Sequence, residues 1–285
     1  MPRISKENAA TFPARLRTRR ADPADGKECA MTFLEALILG LVQGAGEFLP
    51  VSSSGHLLLL EKLGVGEESL FFNICLHLGT LAAVLVAMRK KIFALFSREN
   101  RGTLLYILLA CIPTAGLALV FKYALPDLVG GAYLPLGFMT TAVVLFASEK
   151  LCTAKLRPLD AKSGFVSGVF QGIAVLPGIS RSGATIAALR FCGVEKSAAA
   201  EFSFLLSVPV ILGSALYEGT ELALTGGLGG VDPVPLLVGV AAAFLSGLVA
   251  IRFFLSVVAK KSTLPFALYT AALSVVSFFL LYSPA

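Results

Sequence analysis

The chain has 285 residues, of which 56% are apolar and only 15% charged, with a mean hydropathy of +0.82 and a formal net charge of +6. That leaves too little polar surface to cover a water-soluble globule of this size, so the solvent for most of the chain is a bilayer. The positive charge does not indicate nucleic acid as a partner, because the basic residues fall in short loops between apolar runs, where they act as topology signals.

Residues 1–30 hold seven Lys/Arg, four acids and no apolar run, and are expected to form a disordered basic tail. A cleaved signal peptide does not fit, because the apolar stretch from Met31 runs directly into a polar motif that cleavage would remove. Met31 is an alternative start, with the first 30 residues an upstream extension. Residues 31–285 then read as a single membrane domain. The five cysteines, Cys29, Cys75, Cys111, Cys152 and Cys192, are widely spaced without a CxxC pair, and read as small apolar residues rather than a disulfide frame or a metal site.

Residues 31–63 form an apolar stretch interrupted by Pro50 and a serine cluster, and each half is shorter than the ~20 residues a spanning helix needs. Two half-helices meeting at a polar tip, a re-entrant hairpin, are predicted. Spans follow at 70–88, 104–125 and 135–150, with basic loops at Arg89–Arg101 and Lys150–Lys162. Residues 163–192 repeat the interrupted pattern around Pro177, and spans at 200–220, 234–255 and 264–282 complete the chain. The expected fold is an all-α polytopic membrane protein with six full transmembrane helices and two re-entrant hairpins, repeat one at about 31–150 and repeat two at about 163–285. Pro113 and Pro209 fall inside spans, where neighbouring helices are expected to satisfy the carbonyls they free.

Orientation follows from the loops. Those at 89–103, 149–162, 190–199 and 252–263 carry 5, 4, 2 and 3 Lys/Arg, against 1, 1 and 0 at 61–70, 122–134 and 217–233. The rich set is expected in the cytoplasm. The first hairpin then enters and leaves from outside and the second from inside, so the two repeats are inverted, with a site between half-helices near the midplane. The same threading puts the basic tail outside, against the rule.

The two interruptions carry the chemistry: Gln43–His56, QGAGEFLPVSSSGH, and Gln171–Gly183, QGIAVLPGISRSG. Glu47 follows Gln43 by one helical turn, so both project from one face. A charged carboxylate at membrane depth costs about 2.5–3.5 kcal/mol on insertion scales, which makes function or pairing its default reading. Ser52, Ser53 and Ser54 can cap the second half-helix, whose N-terminus also offers N–H groups to phosphate oxygens. His56 lies three residues after Ser53 and can share its face, so hydroxyl, imidazole and carboxylate supply the parts of a nucleophile, a base and its orienter. His77, in LHLGT, reads as an ordinary packed, hydrogen-bonded histidine. At the second tip, the fork of Arg181 suits two phosphate oxygens, with an ion pair to Glu47 as the structural alternative. Gly178 and Gly183 let backbone approach a ligand closely, and Ser180 and Ser182 serve as donors or caps. These parts suit phosphoryl transfer from a pyrophosphate whose polyisoprenyl tail stays in lipid.

At these motifs the chain resembles the undecaprenyl pyrophosphate phosphatases of bacteria, the bacitracin-resistance family, a likeness that extends over Met31–Ala285 and includes EFSFLLSVP at Glu201–Pro209. The resemblance implies hydrolysis of undecaprenyl pyrophosphate to the monophosphate and inorganic phosphate, recycling the lipid carrier of cell-wall synthesis. It implies Mg2+ or Ca2+ as cofactor and a site in the bacterial plasma membrane that opens to the outer face. By position, Glu47, Ser53, His56 and Arg181 fall on the family's functional residues, with Ser54 and Ser180 as contributors. Gln43 stands where the family has Glu or Gln, which leaves Glu47 as the carboxylate for a metal. Spacing does not decide whether Ser53 or His56 attacks phosphorus; Ser53 as nucleophile with His56 as base is favoured. A homodimer is the candidate assembly. The rival readings are a transporter or flippase for a phosphorylated lipid, since inverted repeats with broken helices are a transporter design, and a structural membrane subunit.

Overall fold

The computed structural model describes residues 31–66, 69–152, 156–226, 231–256 and 261–282. The expected basic tail, 1–30, and Cys29 lie outside these residues.

Each interrupted stretch forms two short helices. In the first, α1 (Phe33–Phe48) and α2 (Ser53–Lys62) are joined by a turn at residues 49–52; in the second, α8 (Ala161–Ile173) and α9 (Arg181–Phe191) are joined at residues 174–180. With 16, 10, 13 and 11 residues they run only about 15–24 Å, short of the ~30 Å hydrocarbon layer. Their starts are set chemically: Thr32 and Glu35 form a capping box on α1, and Asp160 and Ser163 form one on α8. Between the pairs lie α3 (Leu70–Ala87), α4 (Arg89–Leu95), α5 (Arg101–Ala124), the short α6 (Pro126–Val129) and α7 (Leu134–Leu151). After the second pair come α10 (Lys196–Leu224), α11 (Pro233–Ser256) and α12 (Leu264–Tyr282).

Among the described residues six helices are long and apolar enough to cross a membrane, the six expected from sequence, and no strand forms beyond one isolated bridge between Arg157 and Val194. The order of a short pair followed by three long helices occurs twice. Helices α5 and α10 run unbroken through Pro113 and Pro209. The α10 helix begins upstream of its apolar window because the Glu195 side chain accepts from the N–H groups of Ser197 and Ala198. The stretch read as a basic loop, Arg89–Arg101, is instead largely helical. In α4 basic residues share the helix with Phe93, and Phe93 and the following Phe96 are exposed, the composition of a segment lying in the headgroup layer.

Two seams of small residues hold the halves together. Helix α1 packs along α11, where a Cβ on Gly40 would stand 2.3 Å from the carbonyl oxygen of Gly239. Helix α8 packs along α5, where a Cβ on Gly168 would stand 2.2 Å from that of Ala110. Only glycine permits backbones so close, and in lipid such contacts supply much of the association energy. A fully buried aromatic group, Phe48 edge-on to Phe204 at 5.5 Å and Phe204 against Phe254 at 5.5 Å, pins the end of α1 against α10 and α11. That end carries Glu47.

Candidate active site

The two turns touch. The Ser182 hydroxyl donates to the Leu49 carbonyl at 3.1 Å, Cβ atoms on Gly183 and Gly55 would stand 3.3 Å from Pro50 Cβ and 2.9 Å from Gly178 Cα, and Arg181 Nη2 donates to Glu47 Oε1. Each turn is built differently. In the first, Ser52 caps α2, its hydroxyl accepting from Gly55 N–H, while it takes a positive φ of 70°. In the second, Ser180 caps α9 by accepting from Gly183 N–H, and the positive φ, 89°, falls on Gly178. Thr141 of α7 seats the second turn: its hydroxyl donates to Gly178 O and accepts from Ser180 N–H, both at 2.8 Å.

Glu47 is the hub. Its Oε2 accepts from Ser53 Oγ at 2.7 Å and from Gln43 Nε2 at 3.1 Å, and its Oε1 takes Arg181. Ser53, buried, is thus a hydroxyl already bonded to a carboxylate. His77 of α3 stands behind, its Nδ1 3.0 Å from Gln43 Nε2 and 3.7 Å from Glu47 Oε1. These groups face a cavity of about 190 Å3 between the two turns, α3, α5 and α10, whose wall includes Glu47, His77, Gln171 and Arg181, the serines Ser52, Ser53 and Ser54, and Thr114 and Ser214. Gln171 donates to Thr114 of α5 at 3.2 Å, giving the second turn a glutamine in place of the first turn's Gln43. Three buried polar atoms around this site have no partner: Arg181 Nη1, Gln43 Oε1 and Gln171 Oε1. Leaving such atoms without a partner costs about 1–3 kcal/mol each.

Of the residues singled out from sequence, the structure brings together Glu47, Ser53, Arg181, Gln43 and Ser54. Ser180, Ser182 and Gly178 shape the second turn, but their polar groups are committed to the cap, to Leu49 and to Thr141. The expected pairing of His56 with Ser53 does not form. His56 Nδ1 bonds the carbonyl of Ser52 at 2.7 Å and its Nε2 meets the hydroxyl of Tyr269 on α12 at 2.7 Å. The ring stacks on Tyr269 and stands edge-on to Phe138, neither of which lines the cavity. Shared helical face does not fix side-chain direction: Ser53 Oγ turns toward α1 while the imidazole folds back over the turn and out toward α7 and α12. Conversely His77, expected to be a packed histidine, is in the site. Its signal was present as a titratable group inside an apolar span, but its neighbours Gln43 and Glu47 are distant in sequence.

Fold and site together define a multi-pass helical membrane protein whose buried carboxylate, hydroxyl and guanidinium converge on a small polar cavity. The chain belongs to the family described as bacitracin resistance protein BacA, whose model matches residues 36–276. It is 40% identical over 250 residues to an undecaprenyl-diphosphatase of Carboxydothermus hydrogenoformans, covering 86% of this chain and 96% of that protein. It is 40% identical over 255 residues to one from Christiangramia forsetii, covering 84% and 94%. With one from Korarchaeum cryptofilum the identity is 36% over 256 residues, covering 84% and 95%.

Proposed function

We propose that this chain hydrolyses undecaprenyl pyrophosphate to undecaprenyl phosphate and inorganic phosphate, recycling the lipid carrier of cell-wall synthesis and conferring bacitracin resistance. The observation that carries the reading is the Ser53 hydroxyl held on Glu47 beside an arginine with one fork atom unpartnered. Ser53 Oγ attacks the terminal phosphorus as Glu47 Oε2 accepts its proton, the phosphoanhydride bond to undecaprenyl phosphate breaks, and a phosphoserine remains. Glu47 passes that proton to the departing undecaprenyl phosphate, then takes one from water as the water attacks the phosphorus, and returns it to Ser53 Oγ as the P–O bond to serine breaks and inorganic phosphate leaves. Arg181 Nη1 and the free N–H groups at the starts of α2 and α9 hold the phosphoryl oxygens, where charge spreads in the transition state. His77 is the next group able to take a proton from Glu47.

A divalent cation fits this site in part. Glu47, the Ser53 hydroxyl and the unpartnered Gln43 Oε1 are oxygen donors, and no group of three His, Cys, Asp or Glu side chains gathers among the described residues. Mg2+ or Ca2+ held by these residues would draw the rest of its shell from substrate phosphates and water, and would supply charge neutralisation.

The two short helix pairs are read as inverted re-entrant hairpins. In support, the packing exchanges between halves: α1 lies on α11 of the second half and α8 on the equivalent α5 of the first. The cavity wall includes Ser214, in the half of α10 that leads away from the basic loops, which favours an opening to the outer face of the plasma membrane.

The test is phosphate release from undecaprenyl pyrophosphate by the purified chain in detergent. Wild type is expected to turn over, and Glu47→Gln, which keeps the shape and removes the base, to lose about 10²–10⁴-fold in kcat. No release with any divalent ion would refute the reading and favour transport.

A further inference from the structure

We infer that His56 is a positioning residue that clamps the turn presenting Ser53, and that Tyr269 of α12 is the second half of that clamp; the inference rests on the phosphatase reading above. Ser52 is the one non-glycine residue with a positive φ among the described residues. In the second turn the cap, Ser180, is extended at φ −71° and the left-handed step falls two residues earlier on Gly178, for which no Cβ is in the way, whereas Ser52 is itself the cap and has no such freedom. Something outside the residue has to keep it there.

The Ser52 carbonyl oxygen accepts twice from His56: from its backbone N–H at 3.2 Å, the first helical bond of α2, and from its side chain at 2.7 Å. A carbonyl only accepts, so Nδ1 carries the proton, and in the neutral ring Nε2 offers a lone pair to the Tyr269 O–H at 2.7 Å. The Ser52 carbonyl therefore fixes the proton on Nδ1, and Tyr269 holds the ring by its other nitrogen. The ring lies parallel to Tyr269, with centroids 5.7 Å apart and an interplanar angle of 8°, and Phe138 stands against its edge at 5.5 Å. Ser53, the next residue, is pressed from the other side by Gly46, where a Cβ would come within 2.9 Å of Ser53 Cα. Held between Gly46 and the clamped turn, its hydroxyl meets Glu47 at 2.7 Å. His56 touches neither Ser53 Oγ nor the cavity, so it acts through Ser52.

If the clamp serves to hold an unfavourable φ, replacing Ser52 by glycine should make the clamp unnecessary. The experiment measures kcat and KM for undecaprenyl pyrophosphate with the purified full-length protein, wild type and variants, each checked for a monodisperse profile and thermal unfolding. His56→Ala is expected to lower kcat roughly 10- to 100-fold with KM within about twofold, the signature of a misplaced nucleophile rather than lost substrate binding. Ser52→Gly is expected within about threefold of wild type, and the double variant His56→Ala/Ser52→Gly to recover about tenfold over His56→Ala. Tyr269→Phe, which keeps the stacked ring, is expected to lose about 2- to 10-fold in kcat, and that loss to vanish in the Ser52→Gly background. Should His56→Ala fail to fold, this second pair decides alone. An inactive Ser52→Gly, a double variant no better than His56→Ala, or a Tyr269→Phe loss that persists beside Ser52→Gly would overturn the inference while leaving an active wild type and the phosphatase reading intact. A wild type that releases no phosphate would instead remove the reading itself.

Discussion

Gly137 of α7 lies under the second turn, and Gly137→Ala tests how tightly the placement of Arg181 depends on that seat. An added Cβ would stand 2.2 Å from the Pro177 carbonyl oxygen, 2.9 Å from Gly178 Cα and 3.1 Å from Gly178 C. All three are backbone atoms, so no rotamer can relieve the overlap. A close carbon-to-oxygen contact needs about 3.3 Å, so the turn must withdraw by about 1 Å. The turn is short: Ser180 caps α9 and Arg181 is its first residue, so the displacement passes directly to the guanidinium. A misplacement of about 1 Å at a reacting site costs on the order of 10²-fold in rate, and overpacking costs about 1–3 kcal/mol of stability. The assay is kcat for phosphate release together with the unfolding midpoint in detergent. Gly116→Ala on α5 and Gly213→Ala on α10, where nothing lies within 4 Å of the new Cβ, are the controls, and both should unfold no earlier than wild type. A Gly137→Ala protein with kcat within about twofold of wild type would refute the idea that the turn is rigidly seated.

Other perturbations follow from the same geometry. Arg181→Lys keeps the charge but loses the fork that holds Glu47 and leaves Nη1 for a ligand; kcat/KM is expected to fall about 10- to 100-fold, read from steady-state kinetics. Thr141→Val leaves the Gly178 carbonyl and the Ser180 N–H buried without their partner, about 1–3 kcal/mol each, so both the midpoint and kcat should drop; an unchanged midpoint would show that the turn finds other partners. Lys196→Met strands Glu149, which Lys196 bonds at 2.9 Å and which also accepts from the Thr263 hydroxyl at 2.8 Å. The part-exposed pair should cost about 1–3 kcal/mol, below a fully buried one, and adding Glu149→Gln should recover much of it, with kcat unaffected because neither residue lines the cavity.

Much of this architecture is legible in the sequence because the bilayer makes polar and apolar residues easy to tell apart. Runs long enough to cross it stand out, and Pro50 and Pro177 with their serines mark the two places where a run is too polar to be an ordinary span. The meeting of Glu47 with Arg181 followed from the cost of leaving either charge alone in oil. What was not legible is where side chains point. His56 and Ser53 share a face by spacing, yet the positive φ of Ser52 and the aromatic pocket of Phe138 and Tyr269 send them apart. His77 reaches the site from α3 through a contact with Gln43, 34 residues away in sequence, which no local spacing reports. The basic stretch after α3 looked like a loop by charge alone, whereas Arg89–Leu95 forms a helix in which Phe93 is exposed beside the basic residues.

The two glycine seams bear on how the protein can move. Each joins a helix of one half to a helix of the other, with the carbonyl oxygens of Gly239 and Ala110 brought against the glycines of the facing helix. Sliding either seam by one residue would drive a methyl or larger group into a carbonyl oxygen. Rocking of one half of the sequence against the other would break both seams, whereas a motion between the α1–α11 pair and the α5–α8 pair would leave both intact. Each tightly packed body is therefore a mixture of both halves, and the halves of the sequence are not the units that could move independently.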